Sequence, residues 1–199
     1  MLPLRQIASS SRLQEKARCL HTCFTPDKLL LEIKNKPILQ HSIDLMYSLA
    51  VYERILVTTE TRLKKVSIPE EIKVLINQQP EKGKSESIRL GLNIATGTHF
   101  LFLPADQPGL TESDISQLLE AAADNPDKIV YPVINGQPGS PTIFPRKFRS
   151  ELLALNGDTG GSVVRSENKD NCFGVEVKNV QNFTDIDTMG DFNDFVLRQ

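Results

Sequence analysis

The sequence predicts one α/β domain, and three observations predict this class. Short runs of Ile, Leu, Val and Phe recur along the 199 residues, and stretches of helical periodicity separate them. Most of the runs are continuously apolar, as strands covered on both faces require. The length and the 39% hydrophobic content suit one packed core, so we expect a single domain over residues 1–199.

The N-terminal strand is expected to be short. Leu2, Leu4 and Ile7 are separated by Pro3 and by polar residues, and proline weakens a strand interior. Residues 14–27 fit neither the strand period nor the helix period, so an irregular excursion is expected there.

Five further strands are predicted from compact apolar runs. They are 54–58 (RILVT), 72–76 (IKVLI), 99–103 (HFLFL), 128–133 (KIVYPV) and 142–144 (TIF). Runs this short and this rich in β-branched and aromatic residues favour strands over helices.

Helices are predicted between these strands. One follows Pro37, where apolar residues recur at helical spacing, and another covers 87–95. A third starts at Thr111, which has capping-box spacing to Asp114. The segment 104–110 therefore joins a strand to a helix at the carboxyl end of the strand, where open α/β sheets bind their ligands.

Charge and composition exclude several classes of function. The net charge is −2 and the sequence pI is about 6.0, so neither a nucleic-acid partner nor a membrane partner is expected. The chain has neither an apolar run of bilayer length nor the pattern of a signal peptide, and its three cysteines fit a reducing compartment. We expect a cytoplasmic protein. Cys19, His21 and Cys23 alternate, a spacing unlike that of zinc ligands.

Seven segments follow one another in a recognisable order. They are SSRL (10–13), DKLLLEIKNKPILQHSID (27–44), GKSESIRLGL (83–92), LPADQPGLT (103–111), NGQPGSPTIF (135–144), NGDTGG (156–161) and DIDTMGDF (185–192). Together they resemble the MobA-like nucleotidyltransferases, and most closely the branch that transfers CMP to molybdopterin. The resemblance implies a Rossmann-like three-layer sandwich with a mostly parallel sheet, similar to the nucleotide-diphospho-sugar transferases.

The resemblance also implies an activity. CMP would pass from CTP to molybdopterin with release of pyrophosphate, Mg²⁺ would be the cofactor, and a molybdoenzyme or its chaperone would be the protein partner. Two alternatives stay open. The same fold could use GTP or another phosphorylated acceptor, or the chain could be a degenerate, non-catalytic cofactor-binding protein.

The predicted metal ligands are carboxylates on two distant loops. Asp106 follows a buried strand and resembles the principal Mg²⁺ ligand of the family. Its alternative role is a turn or helix cap. Asp185 and Asp187 alternate, so on an extended segment both would point the same way toward the ion. The alternative is an acidic edge strand before a final helix that Thr188 caps.

The nucleotide and acceptor contacts are predicted from small-residue segments. Gly83, Ser85 and Ser87 resemble the nucleotide-contacting segment of the family, and plain N-capping by Ser85 is the alternative. The predicted acceptor-binding residues are Gly139, Ser140, Pro141, Asp158, Thr159 and Gly160. Simple turns would explain the same composition.

The first phosphate-binding loop departs from the family pattern. Ala8, Ser10 and Ser11 are the predicted nucleotide contacts, and Ala8 replaces a family glycine. If that position needed a positive φ, alanine would destabilise the loop by about 1 kcal/mol or more. Arg12 and Lys28 resemble the catalytic cations of the family, and Lys16 competes with Lys28 for that assignment.

Overall fold

The structure is a computed structural model that describes the backbone of residues 4–9 and all of residues 27–198. The strands in these residues are β1 (Leu4–Ser9), β2 (Glu32–Ile33), β3 (Lys36–Pro37), β4 (Glu53–Thr58), β5 (Ile72–Ile76), β6 (His99–Pro104), β7 (Ile129–Ile134), β8 (Gln137–Pro138), β9 (Thr142–Pro145) and β10 (Cys172–Glu176). The α-helices are α1 (Ile38–Ser48), α2 (Glu60–Leu63), α3 (Lys84–Ile94), α4 (Glu112–Asp124), α5 (Arg149–Leu153), α6 (Gly161–Glu167) and α7 (Met189–Leu197).

The main sheet has the order β10-β7-β9-β6-β1-β4-β5, and β8 pairs with β7. Parallel pairs join β1 to β4 and β6, β4 to β5, and β7 to β10. Strand β9 is antiparallel to both β6 and β7. The sheet is thus of mixed direction, and not the mostly parallel sheet that the resemblance implied. Only residues 135–141 separate β7 from β9, too few for the crossover that a parallel pair requires.

Strand β1 is longer than the sequence predicts. It runs over six residues and pairs on both sides, with Ile7 level with Ile55 of β4 and Phe102 of β6. Ladder hydrogen bonds to two neighbours stabilise this backbone despite its polar residues. Ala8 lies within the strand, so its backbone is extended and glycine is not required there.

Capping residues set two helix starts as predicted, and a third start differs. Thr111 with Asp114 and Thr188 with Asp191 form capping boxes at α4 and α7. Helix α3 begins at Lys84, three residues before the predicted start, and Gly83 is its N-cap. Capping by Ser85 is therefore wrong.

Alternate side chains of the strands point to opposite faces of the sheet and contribute to two apolar clusters, one on each face. Leu56 packs with α1, α4 and α7, whereas Ile55 and Val57 pack with α3, α5 and α6. Helices therefore cover both faces, which confirms the α/β class. Within the described residues, no helix is both long enough and apolar enough to cross a bilayer.

Candidate active site

A pocket of about 190 Å³ opens at the carboxyl edge of the parallel strands. Its wall is built from the end of β6 and the loop after it, from helices α2 and α3, and from the segments before β9 and at the start of α6. The 3-10 turn at Lys28 and the loop at Asp185 complete it. The lining residues are Lys28, Leu29, Arg62, Lys84, Ile88, Phe102, Leu103, Pro104, Ala105, Asp106, Ser140, Gly160, Gly161, Ser162 and Asp185. This is the edge at which the sequence predicts the ligand site.

Lys28, which lines this pocket, joins the two predicted acidic loops. Its Nζ lies 2.8 Å from Asp106 Oδ2 and 2.8 Å from Asp187 Oδ1. The two carboxylate oxygens are thus no more than 5.6 Å apart, twice 2.8 Å. Two carboxylates that are separated by 80 residues of chain therefore share one cation.

The backbone brings these loops together. Ile186 N–H donates to the Asp106 carbonyl at 2.9 Å, and the Ile186 side chain is buried. The residues on either side, Asp185 and Asp187, are exposed, as the predicted alternation requires. The predicted alternative of an edge strand is wrong, because a 3-10 helix (Val180–Phe183) and an extended loop occupy this region.

Asp27 positions Lys28 and also a cation that the sequence analysis missed. Its carboxylate accepts from Leu29 N–H at 3.2 Å and so caps the short 3-10 helix Lys28–Leu30. The same carboxylate forms an ion pair with Arg62 Nε and accepts from Arg62 Nη2 at 3.1 Å. Arg62 and Lys84 both line the pocket, so Lys28 is one of three cations that the described residues contribute there. No local signal in the sequence singles out Arg62, because the N-cap Thr59 indicates only that a helix begins there.

The residues present fit a small divalent cation. Asp106 and Asp187 supply two carboxylates, and Mg²⁺ is typically bound by one or two carboxylates plus water and substrate phosphates. Within the described part of the chain, no group of three or more His, Cys, Asp or Glu side chains could hold a metal. An all-protein metal cage is therefore not formed there, and water or substrate phosphate oxygens would complete the coordination.

The segment at the start of α3 docks against the loop before α6. Gly83 has φ +81°, and a Cβ there would lie 2.6 Å from the Gly157 carbonyl and from Asp158 N. Lys84 N–H donates to Asp158 Oδ1 at 3.3 Å, and Ser85 donates to Gly157 O from both N–H and Oγ. The first two N–H groups of α3 thus donate hydrogen bonds to this loop.

The predicted nucleotide contacts Ser85 and Ser87 are buried. Ser87 Oγ accepts from Asn77 Nδ2 at 3.1 Å, and neither serine nor Gly83 lines the pocket. Their contact with nucleotide stays a prediction, whereas Lys84 beside them does reach the pocket.

The predicted acceptor segment at 139–141 reaches the pocket through Ser140. Gly139 N–H donates to Pro132 O at 2.8 Å, and its carbonyl accepts from Arg165 Nη1 at 2.6 Å. Arg165 also stacks on the Tyr131 ring at 4.8 Å, and burial lowers the pKa of its guanidinium. Pro141 is buried, so of these three predicted residues only Ser140 lines the pocket.

The second predicted acceptor segment begins α6. Thr159 Oγ1 donates to Asn156 O at 2.7 Å, and Asp158 is the acceptor for Lys84 N–H. Gly160 lines the pocket with Gly161. A Cβ at Gly161 would lie 2.8 Å from the Phe144 ring, so glycine lets α6 approach the sheet closely.

Several predicted residues lie outside the described residues. These are Ser10, Ser11 and Arg12 of the first loop, with Lys16 and the Cys19, His21 and Cys23 group. Ala8 is described as backbone only, and its nucleotide contact stays a prediction.

Comparison with known sequences identifies a family. The sequence profile of the MobA-like NTP transferase domain matches residues 10–172. A probable molybdenum cofactor guanylyltransferase from Rhodopirellula baltica is 31% identical over 111 residues, which are 53% of this chain and 52% of that protein. The chain thus matches about half the length of this curated relative.

Comparison with solved structures identifies the fold. Rv0371c of Mycobacterium tuberculosis H37Rv, in complex with manganese, has a TM-score of 0.78 at 15% identity, with 98% of each chain covered. A nucleotidyl transferase from Methanothermobacter (Mth528) has a TM-score of 0.73 at 18% identity, over 99% of this chain and 98% of that one. Both are Rossmann-like α/β proteins, so the predicted fold is confirmed at that level.

Proposed function

This chain belongs to the MobA-like NTP transferase family, and we propose that it transfers a nucleoside monophosphate from an NTP to the terminal phosphate of molybdopterin. One observation carries the proposal. Asp106 and Asp187, on loops far apart in sequence, both pair with the Lys28 ammonium group. The pocket beside them is also lined by Arg62 and Lys84. A triphosphate with a divalent ion needs this combination of charges.

The proposed reaction is an in-line displacement. An oxygen of the acceptor phosphate bonds to the α-phosphorus, the bond to the bridging oxygen breaks, and pyrophosphate leaves with that oxygen. A phosphate monoester carries a charge of about −1.5 to −2 at pH 7, so the attacking oxygen needs no proton removed by the protein. The chain therefore has to bind, orient and neutralise charge.

Asp106 and Asp187 are the proposed ligands of Mg²⁺, and Asp185 is the further predicted ligand beside them. When bound, Mg²⁺ neutralises phosphate charge and polarises the α-phosphorus. The manganese in the Mycobacterium structure supports a divalent cation in this fold.

Lys28, Arg62 and Lys84 are the proposed triphosphate contacts among the described residues. Fixed cations stabilise the charge that spreads over the α-phosphate and the leaving pyrophosphate. Asp27 holds the Arg62 guanidinium and caps the turn that carries Lys28, so it orients two of the three. Arg12 is the further predicted cation.

The acceptor is proposed to enter between Ser140 and Gly160. Both residues line the pocket, on the wall formed by the segment before β9 and the start of α6. Arg165 holds the first of these segments through the Gly139 carbonyl. Small residues on this wall let a flat ring approach the backbone closely.

Two donors are candidates. The motif resemblance favours CTP, whereas the Rhodopirellula relative is named a guanylyltransferase, which favours GTP. A pyrophosphate-release assay with molybdopterin and each of the four NTPs discriminates between them. Pyrophosphate release with CTP alone would support the cytidylyl reaction, and release with GTP alone the guanylyl reaction.

Asp106→Asn tests the proposed chemistry. We expect pyrophosphate release to fall by at least about a hundredfold, because a carboxylate that organises the metal and the triphosphate is lost. Asp44→Asn is the matched control, since Asp44 pairs with Lys36 on the surface away from the pocket. Full activity of Asp106→Asn would refute the proposal.

Two features of the sequence would favour the non-catalytic alternative, namely Ala8 in place of glycine and a short first strand. In the structure Ala8 lies in extended backbone within the six-residue β1, so both features support that alternative less. No pyrophosphate release with any NTP and molybdopterin would favour a binding protein instead.

A further inference from the structure

Gln107 lies directly after Asp106 and is 3% exposed. Its Nε2 donates to Phe183 O at 3.1 Å and to Asp185 Oδ1 at 3.0 Å. Both partners are acceptors only, and an amide nitrogen has two hydrogens to donate. These contacts therefore fix the orientation of the amide and use both of its donors.

The two contacts hold the ends of the segment that leads to Asp187. One residue further along this segment, Ile186 N–H donates to the Asp106 carbonyl at 2.9 Å. Phe183 and Ile186 are 4% and 1% exposed, so their side chains are set in the core. The Gln107 amide and one peptide group thus join the 183–187 segment to the Asp106 loop.

The remaining polar atom of Gln107 indicates what the side chain is for. Its Oε1 is buried and finds no hydrogen-bond partner within the described part of the chain. An unsatisfied buried acceptor is destabilising, and a leucine or methionine at this position would avoid it. A glutamine here therefore contributes through its two N–H donors rather than by filling space.

We propose that Gln107 is a positioning residue that holds Asp187 beside Asp106 through its amide contacts to Phe183 and Asp185. This inference rests on the proposed function, because the carboxylates that it positions are the proposed metal ligands. Gln107 touches neither the metal nor the reacting atoms in this role. Outer contacts of this kind orient ligands, and their loss weakens metal binding.

Gln107→Met is the sharpest variant, because it nearly keeps the length of the side chain, removes both donors and adds no charge beside the proposed metal ligands. Gln40→Met is the matched control. Gln40 Nε2 likewise donates to a carboxylate, Asp44 Oδ1 at 2.8 Å, and to a carbonyl, Ser67 O at 3.0 Å, on the surface of α1. Gln107→Leu removes the same donors with a shorter side chain and serves if the first variant does not fold.

Two measurements on the nucleotide-free protein test the proposal. The first is the Mn²⁺ dissociation constant, read from the electron paramagnetic resonance signal of free Mn²⁺. We expect it to rise by about 10-fold to 100-fold in Gln107→Met or Gln107→Leu and to change less than about twofold in Gln40→Met. The second is hydrogen exchange of the Ile186 amide, which we expect to accelerate while the Leu101 amide in β6 stays protected.

Mn²⁺ affinity that is unchanged in the Gln107 variants would overturn the proposal. This outcome would overturn it even if exchange of the Ile186 amide accelerates, because the Gln107 side chain would then stabilise the segment without affecting metal binding. A wild-type protein that binds no Mn²⁺ would instead refute the proposed metal site, and with it the role of Gln107 toward that site. Failure of the proposed metal site would therefore be seen in the wild type, and failure of the proposed role of Gln107 would be seen in its variants.

Discussion

Lys28 occupies the position between Asp106 and Asp187 that a divalent cation would share. The ion must displace this ammonium group before it can contact both carboxylates. Lys28→Met removes the competing cation and leaves the two carboxylates facing each other. We therefore expect the nucleotide-free variant to bind Mn²⁺ more tightly than the wild type does, although it loses a cation for the triphosphate.

The magnitude follows from the exposure of the three side chains. Lys28, Asp106 and Asp187 are 23%, 17% and 38% exposed, so their ion pairs are partly solvated. Partly solvated pairs contribute up to about 1 kcal/mol each. Loss of two such pairs predicts a gain in Mn²⁺ binding of up to about 2 kcal/mol, or about 30-fold in the dissociation constant.

The assay is calorimetric titration of Mn²⁺ into nucleotide-free protein at low ionic strength, where charge effects are least screened. Lys36→Met is the matched control. It removes the same charge from a surface pair with Asp44 and should leave Mn²⁺ affinity unchanged. In Lys28→Met the affinity for NTP should fall at least about tenfold, because a charge-assisted hydrogen bond to the triphosphate is lost. Equal or weaker Mn²⁺ binding by Lys28→Met would refute the competition between ammonium and metal.

Three further outcomes are expected. Gly83→Ala should lower the free energy of unfolding by about 1–3 kcal/mol in urea titrations, because the positive φ and the close Gly157 backbone exclude a side chain; an unchanged midpoint would contradict this. Hydrogen bonds from Thr188 lower the pKa of Asp191 below its ordinary value of 3.8, so the charged form stabilises the fold above that pH and the contribution disappears as pH falls through the lowered pKa. The stability difference between wild type and Asp191→Asn should therefore shrink in acid, and a constant difference would count against it. Arg165→Met should raise the KM for the acceptor more than that for NTP in steady-state assays, and an equal effect on both would argue against its role.

Local signals in the sequence predicted the elements whose boundaries depend on neighbouring residues. Thr111 and Asp114 lie three residues apart, and the capping box that they form needs nothing else in the fold. The strand 72–76 was likewise predicted with the bounds that the structure has. Short-range chemistry is sufficient at such positions.

Long-range contacts explain what the sequence did not predict. The start of α3 is set by docking of Gly83 against Gly157, a contact that no local pattern encodes. Arg62 reaches the pocket through Asp27, 35 residues earlier, and Gln107 bonds to residues 76 and 78 positions later. The resemblance named the carboxylate loops, but the side chains that orient them became visible only in three dimensions.

The contact between Gly83 and the 157–158 loop has a consequence for redesign. The chain that precedes α3 and the chain that precedes α6 meet backbone to backbone at Gly83 and Gly157, where there is no room for a side chain that could absorb a change in shape. If only one of the two stretches were replaced by that of a relative, its backbone would no longer match the shape of the other. Chimeras that exchange both stretches together should therefore tolerate the graft better than chimeras that exchange one.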